Sequence, residues 1–124
     1  MNKGVTVSHL KDAVFEQGLR EFFAYRDLGV AQATNGAAVA HVIRANGASD
    51  IVHDWHSHDA PFHLIYVLKG WAEFEYEGQG RMRFEAGTSF YQPRLIRHRE
   101  VAHSADLEML EVAMPGDFKT HEDA

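Results

Sequence analysis

The sequence predicts an all-β domain, a sandwich or barrel of many short strands, on three observations. From Ala37 onward, runs rich in Val, Ile, Phe and Tyr are separated at close intervals by turn signals such as Asn46-Gly47, Gly70, Gly87, Pro93 and Pro115-Gly116. The stretch Trp71 to Glu85 alternates apolar and charged residues with period two, the mark of a strand with one buried and one wet face. The run Phe62 to Leu68 is apolar on both faces, as a strand covered on both sides would be.

At 124 residues the chain fits one domain and can bury a core without disulfides or a structural metal. No internal repeat interrupts it. The expected division is an N-terminal extension over 1–35 that packs on the barrel or on a dimer partner, the barrel over 36–118 and a tail over 119–124. In the extension, Glu16, Leu19, Phe22, Phe23 and Arg26 have spacings compatible with a helix, yet Glu21 to Arg26 reads equally well as an edge strand, and the strand is preferred. Between Trp71 and Glu85, a Gly78–Gly80 loop predicts a hairpin with Glu77 facing Arg81 and Glu75 facing Arg83 outside, and Tyr76 facing Met82 and Phe74 facing Phe84 inside. Each such pair contributes roughly 0.2–1 kcal/mol. In the next run, His63, Ile65 and Val67 point inward, and the outer row Phe62, Leu64, Tyr66 and Leu68 calls for a cover, either an N-terminal strand or a second subunit; a homodimer is expected.

Composition narrows the function. The net charge is −6, with acids and bases interspersed, so nucleic acid is not an expected partner. With no cysteine, thiolate metal sites, iron–sulfur clusters and cysteine nucleophiles are excluded. No apolar run reaches signal-peptide or membrane-span length, so no membrane partner and a cytoplasmic location are expected. Nine histidines is a high count, and histidine is the commonest metal ligand.

His56 and His58, at i and i+2 on a strand, project from one face. His63 follows the bend of Asp59-Ala60-Pro61 on the inward face of the next strand, and His98 arrives on another strand as a fourth donor. Four neutral imidazoles suit one divalent transition metal, Fe, Mn, Co, Ni, Cu or Zn, without choosing among them. A lone H-x-H pair would read as surface histidine. Four histidines in register with spacer glycines and a proline read as a site.

The stretch His56-x-His58-x4-His63-x6-Gly70 resembles the first motif of the cupin superfamily, H-x-H-x(3,4)-E-x6-G, and Gly87-x5-Pro93-x4-His98 is similar to the second, G-x5-P-x-G-x2-H-x3-N. The resemblance implies a small single-domain cupin of the type-2 conserved-barrel, RmlC-like jelly-roll kind, with an all-histidine metal site. Three positions depart from the pattern. His63 stands for the motif's acid, which implies a three- or four-histidine site, while Leu95 stands for the second glycine and Ala102 for the asparagine, and these two bear on turn geometry and local hydrogen bonding more than on metal binding.

Around this set, Glu100 shares the phase of His98 and reads as an acceptor that hydrogen-bonds a metal-binding histidine or as a base beside the metal, or else as an exposed strand-end acid paired with Arg97 or Arg99. His63 and Glu100 are the catalytic candidates. His41, Tyr66 and Tyr91 are candidate pocket residues, with Phe90 and Trp55 as further aromatics; an interior hydrogen-bonded role for His41 is the alternative. His53 is out of phase with His56 and reads as surface, and His9 and His121 as solvated. The resemblance implies a metal-dependent, dioxygenase-like oxidoreductase acting on a small enolisable or phenolic molecule; the alternatives are a metal-dependent isomerase or lyase and a non-catalytic binding module.

Overall fold

The short apolar runs become eleven strands among residues 4–17 and 22–122, the part of the chain that the computed structural model describes. They are β1 (Glu16–Gln17), β2 (Phe23–Asp27), β3 (Val39–Ala45), β4 (His56–Asp59), β5 (Phe62–Lys69), β6 (Trp71–Tyr76), β7 (Gly80–Glu85), β8 (Ser89–Tyr91), β9 (His98–His103), β10 (Glu108–Met114) and β11 (Lys119–Glu122), with a one-turn helix α1 (Val30–Ala33). Pairing is antiparallel throughout, in a six-stranded sheet ordered β1-β2-β3-β10-β5-β8 and a five-stranded sheet ordered β11-β4-β9-β6-β7. Two such sheets packed face to face form a jelly-roll barrel. No helix among the described residues is long and apolar enough to cross a membrane.

The inward positions of facing strands make the core. Ile43, Ile65, Val67 and Met109 from the larger sheet meet Ala72, Tyr76 and Phe84 from the smaller one, and Phe23 and Leu107 close one end. Val67 and Leu107 are fully shielded, and burying each stabilises the fold by about 1.5–3 kcal/mol. The outward row of β5 behaves differently: Tyr66 is 42% exposed and Leu68 47%.

The chain changes sheet at Ala60-Pro61, between β4 and β5, and again at Gly70, between β5 and β6. Gly70 has φ 72°, and a Cβ there would lie 2.6 Å from Asp106 Oδ1 and 2.9 Å from the Leu107 nitrogen. Only glycine satisfies both the left-handed backbone and the close approach.

The Trp71–Glu85 hairpin forms with its predicted faces but a different register. Glu73 faces Arg83, Phe74 faces Met82 and Glu75 faces Arg81, because the loop is Glu77-Gly78-Gln79 and Gly80 already pairs with Tyr76. Gly78 (φ 81°) and Gly80 (φ 79°) both take left-handed conformations, which tightens the turn. A shift of two residues keeps every side chain on its face. The charge partners do change: Glu75 reaches Arg99 on β9 at 2.7 Å, and Glu77 pairs with Arg97.

At the N-terminus the strand reading holds over Phe23–Asp27, while Glu21 lies outside the described residues. The strand is not an edge, since the two-residue β1 flanks it. Arg26, nine-tenths buried on its outer face, donates to the Ser8 carbonyl at 3.1 Å and the Ser8 hydroxyl at 2.9 Å, tying the first described segment over the sheet. At the other end, Lys119–Glu122, expected as tail, pair with β4 as an edge strand.

Candidate metal centre

Strands β4 and β9 meet at one paired position, His56 opposite His98, which sets the two rings 4.3 Å apart, centroid to centroid. His58, two residues along β4, shares their face and lies 5.0 Å from each. One ring nitrogen from each of the three lies within 4.8 Å of the others. His56 Nδ1 donates to the Asp54 carbonyl at 3.2 Å, and His98 Nδ1 to the Ile96 carbonyl at 3.0 Å. A carbonyl only accepts, so each Nδ1 carries a proton, and a neutral ring held this way offers its lone pair at Nε2. His58 Nδ1 is held 2.9 Å from the Thr120 hydroxyl on β11. Burial first, then the neighbouring His98, His56 and His63, push the His58 pKa down to about 3, which keeps it neutral. Three converging neutral imidazoles, braced from behind, are a donor set that fits a divalent transition ion.

His63 arrives on the opposite wall, because the crossing at Pro61 places it on β5 in the other sheet. Its ring faces His58 at 5.2 Å and is 1% exposed. A hydrogen-bonded chain runs through it. The Tyr76 hydroxyl donates to Gln92 Oε1, so the Gln92 amide nitrogen donates to His63 Nδ1 at 3.2 Å, and His63 then carries its proton on Nε2 and donates to Glu111 Oε2 at 2.6 Å. The other Glu111 oxygen accepts from His41 Nε2. Burial opposes ionisation of Glu111, but the hydrogen bonds from His41 and His63 outweigh it and hold the carboxyl well below the usual range. Burial also pushes the Tyr76 hydroxyl up, so it stays a donor. His63 is not among the three histidines whose ring nitrogens lie within 4.8 Å of one another, and His41 and Glu111 line the cavity. Sequence reasoning passed over Glu111; its signal was being the one acid in phase with Met109 and Ala113 on an inward strand face.

One level deeper, Glu100 is 4% exposed and bonds His103 Nδ1, while His103 Nε2 donates to the Gly47 carbonyl at 2.9 Å. Glu100 pairs with neither Arg97 nor Arg99, which take Glu77 and Glu75. The cause is a β-bulge. Phe74 faces Glu100, but Glu73 faces Ala102 and Ala72 faces His103, so Val101 is an extra residue that reverses the phase. His103 thus turns inward where strict alternation gives Ala102, and no motif marked it. Burial works against a charge on His103, but Glu100 and the Gly47 carbonyl outweigh that and raise its pKa.

These groups open on a cavity of about 680 Å³, walled by Phe22, Phe23, Tyr25, Phe74, Phe90 and Phe118 and reached by His41, His56, His58, His98, Glu100 and Glu111. His41 and Phe90 sit in it; Tyr66 and Tyr91 do not. Tyr66 shares the outward phase of Leu64 and Leu68, and Tyr91 pairs with Leu64 on that same outer face, 52% exposed, its hydroxyl donating to the Pro61 carbonyl at 3.0 Å. Trp55 packs under Arg99, 4.6 Å from ring to guanidinium. His53, expected at the surface, stacks on Phe22 at 4.1 Å and lines the cavity, whereas His9 and His121 are exposed.

The family model described as "Cupin domain" matches residues 41–113, more than half of the chain, a range that contains both histidine motifs. This chain is a cupin. Its solved structural neighbours agree on the fold. The polyketide cyclase RemF from Streptomyces resistomycificus superimposes with a TM-score of 0.77 at 22% identity, covering 100% of this chain and 87% of that one. KdgF from Halomonas sp. gives 0.70 at 19% identity, covering 88% and 94%. HppE, solved as Fe(II)-HppE with an alternative substrate, gives 0.68 at 17% identity, covering 92% of this cupin and 62% of its own chain. No curated protein matches the sequence. Where the second cupin motif has glycine, Leu95 takes φ 65°, so this cupin keeps the motif's turn at the cost of a left-handed leucine.

Proposed function

We propose that this cupin is a metal-dependent enzyme for a small enolisable or phenolic molecule with an apolar ring, held in the cavity with one oxygen at His56, His58 and His98. The observation that carries the reading is the cavity itself: six aromatic side chains line it, and its polar groups include the three clustered imidazoles and two anchored carboxylates, Glu100 and Glu111. When bound, a divalent ion supplies Lewis acidity that favours the anionic form of an oxygen. The chain supplies the rest. The aromatic walls bind the ring and keep water out, which strengthens every polar contact inside. His41 and Glu111, hydrogen-bonded at the cavity surface, hold a proton at His41 Nε2 where a bound ring can exchange one. His63 is a positioning residue that fixes Glu111 from behind, rather than a fourth ligand or the acid–base group itself.

This favours proton-transfer chemistry, such as cyclisation or isomerisation, and the likeness to a protein named a polyketide cyclase supports it. A dioxygenase is the second reading, favoured by a three-imidazole set that leaves coordination positions open. Elemental analysis of natively purified protein, followed by oxygen-electrode assays with enolisable and phenolic substrates, separates them. Turnover with stoichiometric metal and no oxygen uptake is the expected result. Oxygen consumed in step with product moves the assignment to the second reading, and a protein that neither carries nor accepts metal leaves only a binding module. The outward row of Leu64, Tyr66 and Leu68 also supports a homodimer, for which sedimentation is the test.

A further inference from the structure

The cavity has a second polar end, one level below the histidine triad, that the chemistry above does not engage. Glu100 follows His98 by two positions on β9 and faces the same way, so its carboxylate sits about 6–7 Å further along the strand. Phe74 pairs with it across the strands, Phe23 packs on its partner His103, and His53, whose backbone N–H donates to the Glu100 carbonyl at 3.0 Å, stacks on Phe22. The carboxylate is fixed on one side only. Oε1 is taken by His103, and His103 cannot swing away because its other nitrogen donates to the Gly47 carbonyl and its ring is buried against Phe23 at 5.1 Å. Oε2 has no hydrogen-bond partner among the described residues, and it is not sealed from the cavity either. A side chain 6% exposed, with one oxygen clamped and the other presented to a ligand-sized space, is a built acceptor.

We propose that Glu100 Oε2 reads a second hydroxyl on the substrate, so that the molecules accepted are those with one oxygen at the histidine triad and a hydroxyl on the far edge of a ring system about two fused rings long. His103 is the positioning residue that aims it. The proposal rests on the reading of the cavity as a site for phenolic or enolic rings and adds which of them fit. A ligand with the second hydroxyl satisfies Oε2 in a dry environment. One without it leaves a buried acceptor unmet, and unmet acceptors discriminate far more strongly than a missing methylene does.

The test is calorimetric binding of 1,5-dihydroxynaphthalene and of 1-naphthol to the metal-loaded protein and to its metal-free form, in wild type, in Glu100→Gln and in the double variant Glu100→Leu with His103→Met. The double variant replaces a buried polar pair with apolar residues of similar size, a change folds tolerate. Wild type is expected to bind the diol at least about tenfold more tightly than the naphthol. In both variants that preference falls below about threefold and metal content stays as it was; in the double variant 1-naphthol, which no longer leaves an acceptor unmet, binds at least as tightly as it does to wild type. A diol preference that persists in the folded variants, or that wild type lacks although both probes bind in a metal-dependent way, overturns the proposal alone. Failure of both probes to bind, or binding indifferent to the metal, overturns the cavity reading and this inference with it.

Discussion

The two walls of the cavity use histidine in opposite ways. On the β4–β9 wall, backbone carbonyls of Asp54 and Ile96 take the Nδ1 protons of His56 and His98 and turn the Nε2 lone pairs toward one another. On the β5–β10 wall, Gln92 donates to His63 Nδ1, so the proton sits on Nε2 and goes to a carboxylate that His41 shares. The residue type is the same, and what differs is whether a donor or an acceptor stands behind the ring. One wall is thereby prepared to hold a cation, the other to hold protons.

The largest effect is expected where the chain links the walls. Gly70→Ala places a Cβ against Asp106 and the Leu107 backbone in a left-handed conformation, and should cost about 3–4 kcal/mol, read as a lowered denaturation midpoint. A near-neutral result would mean that the β5–β6 crossing is not fixed by that close approach.

Next comes the proton-holding wall. Glu111→Gln weakens two part-buried hydrogen bonds and should cost about 2 kcal/mol at neutral pH. Because the native Glu111 pKa lies below its unfolded value, its stabilising contribution is complete above about pH 4.3 and is lost as pH falls through the native value. Urea midpoints between pH 7 and 3 should therefore fall more steeply in wild type than in Glu111→Gln; parallel curves would contradict the carboxylate bridge. At the deep end the sign reverses. The native His103 pKa is raised, so its contribution is complete below about pH 6.5 and declines as pH rises through the native value. Glu100→Leu with His103→Met should flatten stability above pH 6.5, and an unchanged alkaline decline would count against the pair.

The smallest effect belongs to the loop that leads to His98. Leu95→Gly removes a left-handed leucine whose nitrogen donates to the His58 carbonyl at 2.9 Å, and should stabilise the fold by about 1 kcal/mol with metal content unchanged. Destabilisation would show that leucine packing outweighs the backbone strain.

The metal wall was legible in the sequence because period-two spacing puts His56 and His58 on one face and the motif spacers carry His98 to the neighbouring strand. The hairpin faces were legible for the same reason, and its register was not, since two left-handed glycines set the turn. The opposite wall was largely hidden. Glu111 meets His63 and His41 only through the order β3-β10-β5, which no local pattern encodes, and His103 turns inward only because Val101 bulges. Ring chemistry alone favours Tyr66 and Tyr91 for the pocket, whereas the period-two phase of β5 already turns Tyr66 outward with Leu64 and Leu68.

The contrast between the walls is tested most directly by metal content per chain, measured side by side in His56→Ala, His58→Ala, His98→Ala and His63→Ala after native purification. The first three should lose the ion while retaining a β-sheet circular dichroism spectrum, and His63→Ala should keep most of it. Equal loss in all four would put His63 on the ion and erase the distinction drawn between the walls, and full retention in all four would remove the metal centre from this cavity.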